Sequence, residues 1–248
     1  DLIALAAGGG GGGGQANRAP TFSSGTTASV AENATASTVV YDANATDPDS
    51  ANTLTYSLSG TDAAAFNINA TTGEVTLKAS ANFEVKASYA ITVVATDNGS
   101  PVQSASQNIA VTVTNVNEVP TITSAATASV AENAGIATVV YDAEATDPDA
   151  GTTLTYSLTG ADAAAFNINA TTGEVTLKTS ANFEAKSSYS ITVVAADNGN
   201  PALTTSKDVV VSVTNVNEVP TITSGAAASV VDNAAAGSVV YTTVATDP

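Results

Sequence analysis

The chain has 248 residues, 44% of them apolar, and its 23 acidic against 6 basic side chains leave a net charge of −17. That balance argues against nucleic acid or an anionic membrane as partner and makes cations the natural counterpart. Cysteine, histidine, methionine and tryptophan are absent, which removes thiol and imidazole chemistry from both catalysis and metal binding.

No stretch approaches the roughly 20 apolar residues that cross a bilayer, so no membrane insertion is expected. Leu2–Ala7 is the one apolar run near the start, too short for a signal-peptide core, and a lipoprotein anchor would need a cysteine. Gly8–Gly14 follows without interruption. Such a run reads as a tether. A second reading has residues 1–14 docking on an exposed sheet edge of another copy as an added strand, which would make the chain a filament or matrix subunit.

From residue 21 onward the sequence repeats. VAENA at Val30 returns at Val130 and, as VVDNA, at Val230, and NVNEVP closes a unit at Asn115–Pro120 and again at Asn215–Pro220. Fixed-period self-similarity marks repeated modules. Residues 1–20 form an N-terminal apolar segment and glycine-rich linker, 21–120 a first repeat, 121–220 a second, and 221–248 the start of a third. The array is expected to continue past Pro248.

Within a repeat, apolar residues alternate with small or polar ones, the period of a strand with one buried face. Strands are expected around Ala28–Val30 and Val39–Tyr41, then at Leu54–Leu58. Phe66 and Ile68 should pair with Val75 and Leu77 across ATTG, where Gly73 supplies the left-handed backbone of the turn. Tyr89–Ala95, a DNGSP turn and Ile109–Val113 complete about seven strands in roughly 100 residues. The fold class is therefore all-β, with tandem Greek-key β-sandwiches. Scarce aromatics imply thin cores. The few lysines look like scattered solubilising charges, Asp42 and Asp142 like turn residues, and the sequons at Asn33, Asn44, Asn69 and Asn98 carry no information in so Thr-rich a chain.

Acids and amides cluster where repeats meet. AEN at Ala31–Asn33, DPD at Asp47–Asp49, the FNINATTGEV hairpin, NFE at Asn82–Glu84, ATDNG at Ala95–Gly99 and NVNEVP, in this order and spacing, resemble the cadherin repeat in the form found in bacterial surface proteins. The resemblance implies calcium between successive repeats. Its first joint would use Glu32, Glu84, Asn117, Glu118, Asp147, Asp149 and Asp197, and its second Glu132, Glu184, Asn217, Glu218 and Asp247. Calcium takes six to eight oxygens, at roughly 2.3–2.6 Å, more than one loop offers here.

Three departures from the family pattern bear on this. Asn82 and Asn182 stand in place of an acid, Asn115 and Asn215 open the linker in place of Asp, and QANRAP puts Arg18 where Glu118 and Glu218 stand. Lost anionic ligands lower the affinity or number of ions. A cation at position 18 opposes calcium, so repeat 1 is expected to begin the array, with Asp47, Asp49 and Asp97 lacking an upstream partner.

No nucleophile, base and metal set indicates an enzyme. The expected function is an extracellular, calcium-stiffened spacer or adhesion stalk at a prokaryotic cell surface. The alternatives are the self-assembling filament and a carbohydrate- or protein-binding module. Expected partners are calcium and other copies of the chain, with no nucleic acid.

Overall fold

The computed structural model describes residues 16–49 and 51–247, in two compact units whose division falls between Val116 and Asn117. The two expectations for residues 1–14 lie outside the described residues.

The first unit contains β1 (Thr21–Phe22), β2 (Thr27–Ala31), β3 (Val39–Asp42), β4 (Ala45–Thr46), β5 (Thr55–Ser59), β6 (Phe66–Ile68), β7 (Glu74–Leu77), β8 (Ser88–Thr96) and β9 (Ser104–Thr114). One sheet runs β2-β9-β8-β5, the facing one β3-β7-β6, and β1 pairs with β4. The nine segments are the seven expected strands with the first two each broken once. After pairing antiparallel with β4, the chain crosses at Ser23–Thr26 and β2 adds parallel to β9. The opening segment thus leaves the β1-β4 ladder and joins the edge of the four-stranded sheet.

Alternation decides which side chains meet. Ile91, Val93 and Ala95 of β8 and Ile109, Val111 and Val113 of β9 all turn to the buried side, with Ile91 directly opposite Ile109, while intervening residues reach solvent. Phe66 pairs with Leu77 and Ile68 with Val75, the register expected of the ATTG hairpin. Gly73 has φ of +83°, and a Cβ there would also strike the Ala43 carbonyl, so the position excludes side chains twice over. The Phe66 ring packs edge-on against Tyr89, with centroids 5.3 Å apart.

Charge enters this packing through the lysines. Lys86 donates to Asp62 at 2.6 Å while its ammonium sits 5.1 Å from the Tyr89 ring centroid, and Lys186 repeats this with Asp162 and Tyr189. Lys78 and Lys178 donate to the carbonyls of Ala64 and Ala164, and Lys207 to that of Ser124. These lysines are structural partners rather than scattered surface charges.

The second unit repeats the pattern as β10 (Thr121–Ile122), β11 (Thr127–Ala131), β12 (Val139–Asp142), β13 (Ala145–Thr146), β14 (Thr155–Thr159), β15 (Phe166–Ile168), β16 (Glu174–Leu177), β17 (Ser188–Ala196) and β18 (Thr204–Thr214). Its sheets are β11-β18-β17-β14 and β12-β16-β15, with β10 on β13. Beyond it, β19 (Thr221–Ile222) pairs with β20 (Ala245–Thr246), and Tyr241 bonds Ser224 as Tyr41 bonds Ser24 and Tyr141 bonds Ser124. None of residues 221–247 is buried. These residues reproduce the opening contacts of the two units without a core.

Candidate metal site

Each unit has a head, built from the linker before β1 or β10, the DPD turn and the DNG loop, and the second unit also carries a base. In the second head, Asp147 Oδ1 accepts the Asp149 N–H at 2.9 Å, and Asp149 Oδ2 accepts the Glu118 N–H at 2.8 Å. The other oxygens, Asp147 Oδ2 and Asp149 Oδ1, are buried without a hydrogen-bond partner, and the Asp149 residue is only 8% exposed. A buried carboxylate oxygen lacking a donor is costly unless a cation supplies the missing charge.

The DNG triplet divides three tasks. Asp197 Oδ1 accepts the N–H groups of Gly199 and Leu203, both at 2.9 Å, and its Oδ2 accepts the Asn117 amide at 2.9 Å. Burial works against the Asp197 charge, but these donors outweigh it and hold the carboxyl below its ordinary value. Asn198 accepts the Thr153 N–H at 3.0 Å. A Cβ on Gly199 would collide with the Asn117 amide, so this glycine provides room for the linker side chain. The motif order points to Asp197 as a ligand, but nothing in the sequence marks the glycine as room for the linker amide.

At the base of the second unit, carboxylate oxygens of Glu132, Glu184 and Glu218 lie within 4.8 Å of one another. Glu132, 3% exposed, ties two loops together by accepting the Phe183 N–H at 3.0 Å and the Val216 N–H at 2.7 Å. The first of these bonds, reinforced by the second, keeps its carboxyl below the ordinary value. Each oxygen retains a lone pair. Asn133, held at φ of +60°, donates to Glu218 at 2.7 Å, and Asn215 donates to Glu184 at 3.0 Å. The AEN motif is thus a buried acid followed by a left-handed residue that returns an amide to the linker acid.

The departures acquire physical reasons here. Asn182 Oδ1 accepts the Ala185 N–H at 2.6 Å, as Asn82 does with Val85 at 2.7 Å, so both oxygens close a turn. Asn215 neutralises part of the field of Glu184 rather than adding an anion. Asn217 reaches only the Glu218 carbonyl, at 3.4 Å, and Asp247 follows β20 outside the three-carboxylate group.

In the first unit, Glu32 is buried and pins Phe83 N at 2.9 Å and Val116 N at 2.7 Å, and Glu84 is exposed beside that loop. Its head differs from the second. Arg18 donates its backbone N–H to Asp49 Oδ2 at 2.7 Å, and its guanidinium reaches Asp49 Oδ1 at 2.8 and 3.1 Å. Asn17 donates to Asp97 Oδ2 at 2.7 Å. Asp49 and Asp97 take their partners from residues 17 and 18 of their own unit rather than from an upstream repeat. Asp47 Oδ2 alone keeps no donor.

The model of the cadherin domain matches residues 26–114 and 126–214. The chain belongs to the cadherin domain family. It is 34% identical over 207 residues to human Protocadherin-23, covering 80% of this chain, and 34% identical over 235 residues to the Drosophila melanogaster protocadherin-like wing polarity protein stan, covering 89%. It spans only 6% of either relative. Among solved structures, mouse Cadherin-23 EC22-24 superposes with a TM-score of 0.71 at 28% identity, over 94% of this chain and 78% of that one. A cis-dimer of Protocadherin gammaB7 EC3-6 gives 0.63 at 26% identity, over 93% and 61%. These curated relatives are animal proteins, and nothing among them supports the expected prokaryotic source.

The donor set suits one class of ion. Carboxylates, amide oxygens and backbone carbonyls are hard ligands, and with no imidazole or thiolate in the chain they favour calcium over softer metals. Among the described residues no helix is long and apolar enough to cross a membrane.

Proposed function

We propose that these cadherin repeats are an extracellular spacer or adhesion stalk whose joints are stiffened by calcium. The observation that carries this reading is the pair of buried, donorless oxygens, Asp147 Oδ2 and Asp149 Oδ1, at the head of the second repeat. Asp147, Asp149, Asp197 and Glu118 would hold the ion there, with Asn117 oriented by Asp197. Glu132, Glu184, Glu218 and Asn217 would do so at the following joint, together with Asp247.

The ion supplies positive charge and fixed coordination. The residues do the rest: Glu132 locks the base loops to the end of β18, Asp197 fixes the loop after β17, and the glycine at 199 admits the linker. Free calcium is abundant enough for weak sites of this kind outside cells, which supports the extracellular placement. Membership of the family supports a structural rather than a catalytic role, and the asparagines that stand in place of acids lower the charge offered to each ion.

Thermal melting and small-angle scattering of the full chain, with calcium or with a chelator, test the proposal. Calcium is expected to raise the melting temperature and stiffen the particle, and Asp147→Ala plus Asp149→Ala should abolish both changes. A profile indifferent to calcium would sink the reading.

A further inference from the structure

The two heads share one backbone arrangement and differ in the side chains placed around it. The N–H of residue 18 or 118 caps Oδ2 of Asp49 or Asp149 at 2.7 and 2.8 Å. The N–H of residue 49 or 149 bonds Oδ1 of Asp47 or Asp147 at 2.7 and 2.9 Å. What then lies on the remaining oxygen differs: nothing on Asp149 Oδ1, and the Arg18 fork on Asp49 Oδ1.

We infer that Arg18 is a built-in counter-ion which takes the place of a metal at Asp49, so that the turn at the head of the first repeat is held without calcium. The inference goes beyond the calcium reading, since the Arg18 geometry stands whether or not the second head binds an ion. The guanidinium contacts are chemically suited to the task. Two N–H groups converge on one carboxylate oxygen while a third reaches the Pro48 carbonyl at 2.6 Å, a fork that a lysine could not reproduce. The Arg18 hydrogen bonds hold the Asp49 carboxyl below its ordinary value, and the charge is already compensated in the molecule.

Asn17 and Asn52 extend the closure. Asn52 donates to Asn17 Oδ1 at 2.7 Å and to Asp47 Oδ1 at 3.3 Å, while Asn17 donates to Asp97 and to the Pro101 carbonyl. In the second unit Asn117 makes the corresponding bonds to Asp197 and the Pro201 carbonyl, but residue 152 is threonine where 52 is asparagine. The first head has therefore gained a cation and an amide relative to the second. Asp47 Oδ2 remains unmatched, and the guanidinium closes the Asp49 side of the turn. Arg18 is half exposed, with 50% of its side chain accessible. Such a pair adds little to global stability, and its consequence is local: a divalent ion must displace an attached guanidinium to reach Asp49.

Arg18 is the chain's single arginine, so its Nε–H gives one arginine side-chain signal in a proton–nitrogen NMR spectrum of the full chain. In chelator that signal should be sharp and exchange with water slowly, about tenfold slower than in Asp49→Asn. It should not move when calcium is added. Arg18→Glu, which restores the acid found at positions 118 and 218, should make the amides of the Asp47–Asp49 turn respond saturably to calcium, while β8 amides stay unchanged and report an intact fold. Arg18→Lys should leave the turn only partly protected in chelator.

A fast-exchanging Nε–H in chelator, an Arg18 signal that shifts with calcium, or Arg18→Glu turn amides blind to calcium would each overturn the inference. The Asp147–Asp149 amides in the same titration report separately on the calcium reading. Silence there with a calcium-insensitive Arg18 signal would defeat the spacer proposal and leave the counter-ion standing.

Discussion

The heads of the first and second repeats are two experiments on one scaffold. Both place a DPD turn, a DNG loop and a linker amide in matching positions, and both use backbone N–H groups to satisfy one oxygen of the second aspartate. In the first, an arginine from the linker closes the other oxygen; in the second, that oxygen stays buried and donorless. Whether a carboxylate cluster demands an external cation is therefore settled less by its acids than by the residue facing them. A count of the DPD and DNG aspartates alone would rank the two heads as equal.

The scaffold should be equal where the heads are not. Phe66 and Phe166, each 2% exposed, occupy the same core position and pack edge-on against Tyr89 and Tyr189. Replacing either by alanine should cost about 3–5 kcal/mol in its own unit, read from unfolding with and without calcium. A clear inequality in chelator would mean that the units differ in more than their heads.

A smaller effect is expected at the DNG glycine. Gly199→Ala drives a methyl into the Asn117 amide and should loosen its bond to Asp197, lowering apparent calcium affinity at the second head by about tenfold, the scale of one lost charged hydrogen bond. Gly99→Ala meets Asn17 in the same way. It should speed amide exchange in the loop after β8 without altering calcium binding. If Gly199→Ala binds calcium normally, the linker amide is not part of the site.

Much of this was legible before any coordinates. Strict alternation gave away the β8 and β9 faces, and a glycine between two alternating runs announced the hairpin of β6 (Phe66–Ile68) and β7 (Glu74–Leu77). The motif order pointed to the family and to its acids. What escaped notice were contacts that join residues far apart in sequence: Lys86 to Asp62, Asn17 to Asp97, and Glu32 to both Phe83 and Val116. Nothing in local periodicity registers a pairing across 80 residues. The break between β1 and β2 was equally hidden, because a strand that changes sheets keeps its alternation on both sides of the crossing. Arg18 was seen as an obstacle to calcium, but its partner became visible only once the DPD turn was folded beneath it.

The smallest expected effect is a control common to both units. Asp62 and Asp162 are held below their ordinary pKa, first by Lys86 or Lys186 and then by the N–H of Ala90 or Ser190. A depressed folded pKa stabilises above the unfolded value, about pH 4, and that contribution is lost as the pH falls through the folded one. Lys86→Ala plus Lys186→Ala should therefore lower the melting temperature slightly at neutral pH and flatten its fall below about pH 4. An unchanged acid limb would show that these ion pairs contribute nothing to the pH dependence.

The most direct measurement is hydrogen exchange of the full chain in chelator and in saturating calcium, followed at both DPD turns and both DNG loops. The account predicts that calcium slows exchange at Asp147–Asp149 and in the loop after Asp197, while Asp47–Asp49 and the loop after Asp97 are already protected and do not change. Equal calcium responses at the two heads, or a first head as unprotected in chelator as the second, would contradict it.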